Sequence, residues 1–225
     1  MNIIERDFEA MMQEDRQGQP FDGRDRQAVN YALVRNREVR ELTRRLDHAA
    51  EQLLGAGTIF TEGASILLVG DTHWHSDLGW HPSMLGGRSQ PPLAHCYRGL
   101  CADMYLDRLT RDTGCLRVLP GSHLLDSPAQ DLLAPMHMDI AENFLADGRI
   151  EQFDIQPSEV PGYAIESEPG DVVFFSHEIW HGSFGGKPGR RMIARSYKAS
   201  PTTDREREYI ETCMLKRQRE TAGVT

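Results

Sequence analysis

Hydrophobic positions change their period along this chain. Between residues 24 and 54, Val29, Leu33, Val39, Leu42, Leu46 and Ala50 recur roughly every three or four positions among Arg, Glu and Ala, the spacing of an apolar stripe on a helix. Gly55 and Gly57 then supply a stop. Residues 1–57 are therefore expected to form a helical N-terminal region, with one stripe on a core and a charged face in water. Beyond it the apolar runs shorten and are broken by Gly and Pro. Ile66–Val69 ends at Gly70, and the runs 100–106 and 116–119 follow, the latter closed by Pro120-Gly121. Tyr163–Ile165 leads to the turn Pro169-Gly170-Asp171 and the run 172–175, and 192–197 comes last. Short strands with such punctuation predict a sandwich or barrel. The irregular stretch 124–160, with Pro128, Pro135 and Pro157, reads as an insertion over one mouth of it. Residues 201–225 read as a charged tail, helical from about 204 to 220. The expectation is one mainly β domain with flanking helices and a core at 58–200.

Composition narrows the class without changing that picture. A chain of 225 residues buries a real core and suits one domain. No window approaches the ~18 consecutive apolar residues of a membrane span. The start, Met1-Asn2-Ile3-Ile4-Glu5-Arg6-Asp7, lacks the apolar stretch of a secretory signal, so a cytoplasmic location is expected. Cys96, Cys101, Cys115 and Cys213 form no CxxC pair and read as reduced thiols. A net charge of −9 argues against a nucleic-acid surface, which needs clustered Lys and Arg. It still allows an arginine-lined cleft for an anionic small molecule. Oligomeric state is left open.

The chemistry concentrates in two windows. In Thr72-His73-Trp74-His75-Ser76-Asp77, His75 and Asp77 are two apart and project to one side of an extended segment. A second histidine from far along the chain would complete a 2-His-1-carboxylate triad, which leaves three positions open on Fe(II). Alone, an H-x-D is a weak signal. The second window, His177-Glu178-Ile179-Trp180-His181-Gly182-Ser183, follows a Gly170-Asp171 turn and an apolar run, and Arg191 stands ten residues past His181. An arginine on the next strand holds a carboxylate by two parallel hydrogen bonds, and Ser183 offers a hydroxyl donor.

Taken in order, these pieces resemble the phytanoyl-CoA dioxygenase family of 2-oxoglutarate oxygenases. They are His75-Ser76-Asp77, the G-x-L-x-x-x-P-G-S-H stretch 114–123, the G-D-V-V-x-F stretch 170–175, Trp180-His181-Gly182-Ser183, and Arg191. The resemblance covers about residues 63–199 and implies a double-stranded β-helix, or jelly roll, of the cupin type. It implies His75, Asp77 and His181 as iron ligands, Arg191 and Ser183 on the C5 carboxylate of 2-oxoglutarate, and O2 as the other co-substrate. Arg190 rivals Arg191, because the gap from His181 is one residue shorter than in many members. Arg191 is preferred because Arg191, Ile193, Arg195 and Tyr197 then share one strand face. The residue touching the C1 end stays open among Thr58, Thr61 and Tyr97. Related halogenases replace the carboxylate with a small residue, so Asp77 favours hydroxylation or a related oxidation (desaturation, ring closure or epoxidation) over halogenation. By analogy with small members of the family, the expected substrate is a small molecule of natural-product tailoring.

Other readings remain at this stage. His73 would be a ligand if the chain were a cupin-type enzyme that ignores 2-oxoglutarate, but no glutamate follows at the required spacing. A non-catalytic jelly roll that binds metal would have no need of the Arg191–Ser183 anchor. His177 is expected beside the metal without binding it, and His123 within a turn that braces the site. Arg195 is a possible lining residue, and Trp74, Trp80 and Trp180 suggest an apolar wall that excludes water.

Overall fold

The apolar runs pair into two antiparallel sheets in the computed structural model, which describes residues 2–20, 27–30, 40–41, 43–60, 66–69, 72–77, 98–124, 159–185 and 190–211. The strands are β1 (Gln27–Asn30), β2 (Ile59–Phe60), β3 (Ile66–Val69), β4 (Thr72–His75), β5 (Gly99–Tyr105), β6 (Leu116–Val118), β7 (Tyr163–Ile165), β8 (Val172–Ser176), β9 (His181–Ser183) and β10 (Arg191–Lys198). The larger sheet runs β1-β3-β10-β5-β8, with β2 added to β10, and the smaller runs β4-β9-β6-β7. Apart from β6 and β7, which pair with each other, successive strands from β3 to β10 alternate between the sheets. This crossing pattern is a jelly roll.

Two helices, α1 (Asn2–Asp15) and α2 (Arg45–Leu54), cover the outer face of the larger sheet. Phe8, Met11 and Met12 of α1 pack on Met104, Leu106 and Ile193. Ala50 and Leu54 of α2 pack on Leu100, Ala102 and Tyr197. Between the sheets lie Tyr105, Leu116, Val118, Phe175, Met192 and Ala194. Strand pleat then fixes the faces: even-numbered residues of β5 point to the helices and odd ones into the barrel, and β10 has the opposite parity. Both faces of these two strands are covered, which is why nearly every position in them is buried. Among the described residues, no helix is long and apolar enough to cross a membrane.

The N-terminal region is not helical throughout. Gln27–Asn30, inside the stretch predicted as helix, is a strand in register with β3 (Gln27↔Val69 to Asn30↔Ile66). The far edge of β3 would otherwise present unpaired backbone groups, and pairing there overrides the local helical spacing. Residues 204–211 of the tail are helical, as expected. Residues 31–39 and 125–158, the latter nearly all of the expected insertion, lie outside the described residues.

Candidate metal centre

His75 ends β4 and His181 opens β9, and the two are directly paired across the smaller sheet. Their rings lie 4.2 Å apart between centroids. Asp77 follows just past the end of β4, where its backbone N–H donates to the His177 carbonyl at 3.0 Å. That bond turns the carboxylate back towards the two imidazoles. Asp77 Oδ1 is 3.8 Å from His75 Nε2 and 4.0 Å from His181 Nε2. Mutually cis donors at about 2.0–2.2 Å from one ion stand about 3 Å apart, so each carboxylate–imidazole pair would close by about 1 Å on a shared metal. His181 Nδ1 lies 3.0 Å from the Ile179 carbonyl; donating there leaves Nε2 free as an acceptor towards the centre. Two imidazoles and a carboxylate form the donor set of a non-haem Fe(II) site, and the residues present fit that ion.

The electrostatics agree with a cation site. Burial works to raise the Asp77 pKa, but His181, His177 and His75, together with a thiol hydrogen bond, outweigh it and hold the carboxyl at about 2. The thiol belongs to Cys101, whose Sγ donates to Asp77 Oδ2 at 3.2 Å. Burial, then the carboxylates of Asp77 and Asp103, push the Cys101 pKa well up, so the sulfur keeps its proton. Asp103, two residues on along the inward face of β5, is 4% exposed. Burial first, and Asp77 next, raise its pKa to about 8, while Arg190 partly offsets them. The Tyr105 hydroxyl, next on the same face, is buried beside Asp103.

Arg191 does not face this interior. It pairs with Val69 on the outward face of β10, and its guanidinium meets Asp107 Oδ1 at 2.7 Å, Glu9 Oε1 at 3.2 Å and Glu5 Oε1 at 3.4 Å. These carboxylates raise its pKa further and fasten α1 to the barrel. Arg195 has the same parity and is likewise turned outward, to Thr43 and to Asp47 of α2, with its guanidinium over the Phe60 ring at 4.0 Å. The expectation that Arg191 and Arg195 line the site is corrected on both counts: the residues chosen for sharing a face share the helix-covered one. Arg190, the rival, is 3% exposed on the inner side. Its Nη1 lies 3.7 Å from Met192 Sδ, and its charge acts on both Asp103 and Tyr105. Ser183 is buried two residues from His181 on the same face of β9.

The sequence profile of the phytanoyl-CoA dioxygenase (PhyH) family matches residues 5–192. The chain belongs to that family. Members of the PhyH family are Fe(II)- and 2-oxoglutarate-dependent oxygenases, in keeping with the donor set above. Among solved structures the chain is similar to the carbocyclase SnoK from nogalamycin biosynthesis (20% identity, TM-score 0.57, covering 88% of this chain and 74% of that one). It is also similar to EctD from S. alaskensis with bound Fe (19%, 0.54, 88% and 68%). A third is EvdMO1 (20%, 0.53), of which 86% of this chain spans only 42%. At these identities the likeness speaks for the fold. No curated protein sequence matches the chain.

The PhyH motifs have visible local work. Gly114 ends the 3-10 turn Arg111–Thr113 at φ 85°, a left-handed conformation that favours glycine, and returns the chain into β6. In Pro120-Gly121-Ser122-His123 the brace is Ser122: its Oγ accepts the Trp180 backbone N–H at 2.9 Å, one residue before His181. Phe175 lies 4.6 Å from the His181 ring and is the apolar neighbour of the centre. Trp74 and Trp180 are fully buried, but Trp74, next to His75 on β4, packs on Phe184 at 5.8 Å on the other side of the smaller sheet. His177 stands beside Asp77 with its ring nitrogens at 2.8 Å from Ser196 Oγ and Lys198 Nζ. Thr58 is occupied by the Gly55 carbonyl, away from the centre. Thr61, Trp80, Tyr97 and the His73 side chain lie outside the described residues. Sequence reasoning missed Cys101, Asp103 and Tyr105. The signal was there: one aspartate at alternate spacing inside the apolar run Leu100-Cys101-Ala102-Asp103-Met104-Tyr105-Leu106.

Proposed function

We propose that this protein holds Fe(II) through His75, Asp77 and His181 and uses 2-oxoglutarate and O2 to hydroxylate an unactivated C–H bond of a small molecule. The observation that carries the reading is the convergence of those three side chains inside the barrel, with His181 oriented by the Ile179 carbonyl. Bound there, Fe(II) supplies the redox chemistry that couples decarboxylation of 2-oxoglutarate to oxidation of the substrate. The chain's own residues do the rest. Arg190, in place of Arg191, takes the far carboxylate of 2-oxoglutarate from within the barrel, with Ser183 adding a hydroxyl donor. Phe175, packed on the His181 ring, keeps water from the reacting atoms on that side. Asp77 stays ionised throughout the physiological range and so remains a ligand.

Natural-product biosynthesis is the setting of SnoK and defines the substrate class to screen first. Because SnoK is a carbocyclase, product analysis has to separate a gain of one oxygen from a loss of two hydrogens by ring closure. The test of the co-substrate is anaerobic titration of the Fe(II)-loaded protein with 2-oxoglutarate. A saturable visible metal-to-ligand charge-transfer band is expected. Iron bound without any band would leave a metal-binding jelly roll that does not use 2-oxoglutarate.

A further inference from the structure

We propose that Cys101 is a positioning residue for Asp77: its thiol holds Oδ2, so that the carboxylate meets the metal through Oδ1 alone. The inference rests on the iron site proposed above and concerns how that site keeps positions open. A carboxylate binds a cation through one oxygen or two, and the second mode would consume one of the three positions that 2-oxoglutarate and O2 need. The main chain of Asp77 is pinned by its bond to the His177 carbonyl, but this does not stop the carboxylate from rotating.

The two oxygens of Asp77 meet different partners. Oδ1 faces both imidazoles, at 3.8 and 4.0 Å. Oδ2 accepts from Cys101 Sγ at 3.2 Å. Cys101 is itself held firmly, since β5 is paired on both sides, with Ser196 of β10 and Phe175 of β8 as its partners in register. The sulfur therefore approaches from a fixed wall behind the carboxylate. Asp77, Cys101 and His177 also lie close enough to form a second donor cluster. Direct metal binding by that cluster would first have to break the contact of one His177 ring nitrogen, with Ser196 or with Lys198. The geometry favours a thiol that donates over a thiolate that ligates.

The experiment uses the full chain loaded with Co(II), whose ligand-field spectrum reports coordination, and titrates it with 2-oxoglutarate. Wild type, Cys101→Ala and Cys101→Ser are compared, with thermal midpoints confirming that each is folded. Cys101→Ala is expected to shift the ligand-field bands and weaken 2-oxoglutarate binding about tenfold, the usual size of an effect transmitted through a ligand's partner. Cys101→Ser, which keeps a donor, is expected to recover most of the loss. An unchanged spectrum with affinity within twofold in Cys101→Ala would overturn the proposal. So would a serine variant no better than alanine, or an intense near-ultraviolet sulfur-to-cobalt band in the wild type. If the wild-type protein takes up neither Co(II) nor Fe(II), the iron site itself fails; if it binds metal and 2-oxoglutarate and Cys101→Ala matches it, only the role of Cys101 fails.

Discussion

Arg190 and Arg191 are neighbours in the chain and meet opposite environments, because a strand turns successive side chains to opposite faces. Truncating a buried arginine that holds a carboxylate costs on the order of 2–5 kcal/mol, so Arg190→Ala should weaken 2-oxoglutarate binding about thirtyfold or more. Arg191→Ala should leave that affinity near wild type. It should instead lower stability by about 1–2 kcal/mol, since a half-buried bidentate bond to Asp107 is lost but its carboxylate partners reach water. Charge-transfer titration and urea unfolding separate the two effects, and the reverse pattern would mean that the faces of β10 are exchanged. Asp103 makes a prediction of its own in the metal-free protein. Its folded pKa of about 8 lies above the ordinary carboxylate value of 3.8, so the folded state binds this proton more tightly than the unfolded one. The stability it contributes is complete below pH 4 and is lost as pH rises to about 8. Asp103→Asn cannot ionise, so its stability relative to wild type should climb by a few kcal/mol across that window and level off above it. Denaturant unfolding of both proteins at pH 4.5 and pH 9 checks this; a difference that does not change with pH would remove Asp103 as the buried acid.

At the level of elements, α1 is the attachment most easily tested. Phe8 and Met12 are fully buried against Met104 and Ile193, on the side of the larger sheet away from the metal centre. Phe8→Ala should cost about 3–5 kcal/mol of stability while leaving one Fe(II) bound per chain. Unfolding curves and metal analysis check it, and loss of iron in a folded variant would couple α1 to the site. Elements also set what could be read beforehand. Ile66–Val69 and Tyr163–Ile165 were legible because turn residues bracket short apolar runs, and the grouping of His75, Asp77 and His181 because the ordered motifs around them resemble those of the PhyH family. The strand β1 was not, since Val29 falls in step with the helical stripe and only the free edge of β3 decides otherwise. The parity of β10 was equally hidden. Basic residues stand on both of its faces, Arg191 and Arg195 outward and Lys198 inward, and both faces are buried, so no alternation of polar and apolar residues marks the inside. The same double burial concealed Asp103, whose inward direction depends on which sheet the helices cover.

For the whole molecule, the proposed metal centre joins parts that the chain leaves far apart, and ligand binding to the folded state alone raises stability. With free Fe(II) at one hundred times its dissociation constant, the gain is about 2.7 kcal/mol. For a chain of this size that corresponds to a rise of about 5–10 °C in the thermal midpoint. Scanning calorimetry of stripped and reloaded protein should show that rise, and His181→Ala should show none. The smaller sheet gives the effect a location. Among the described strands β4 pairs with β9 alone, and its register there is broken between Thr72 and His75. In the proposed site an ion gripped by His75 on one strand and His181 on the other would act as a rivet at the end of a seam stitched, among the described strands, on one side only. Taking it out leaves an edge that can recruit the same edge of another molecule. Stripped preparations should therefore turn cloudy in storage sooner than loaded ones, and chelators would be poor company for this protein on the bench.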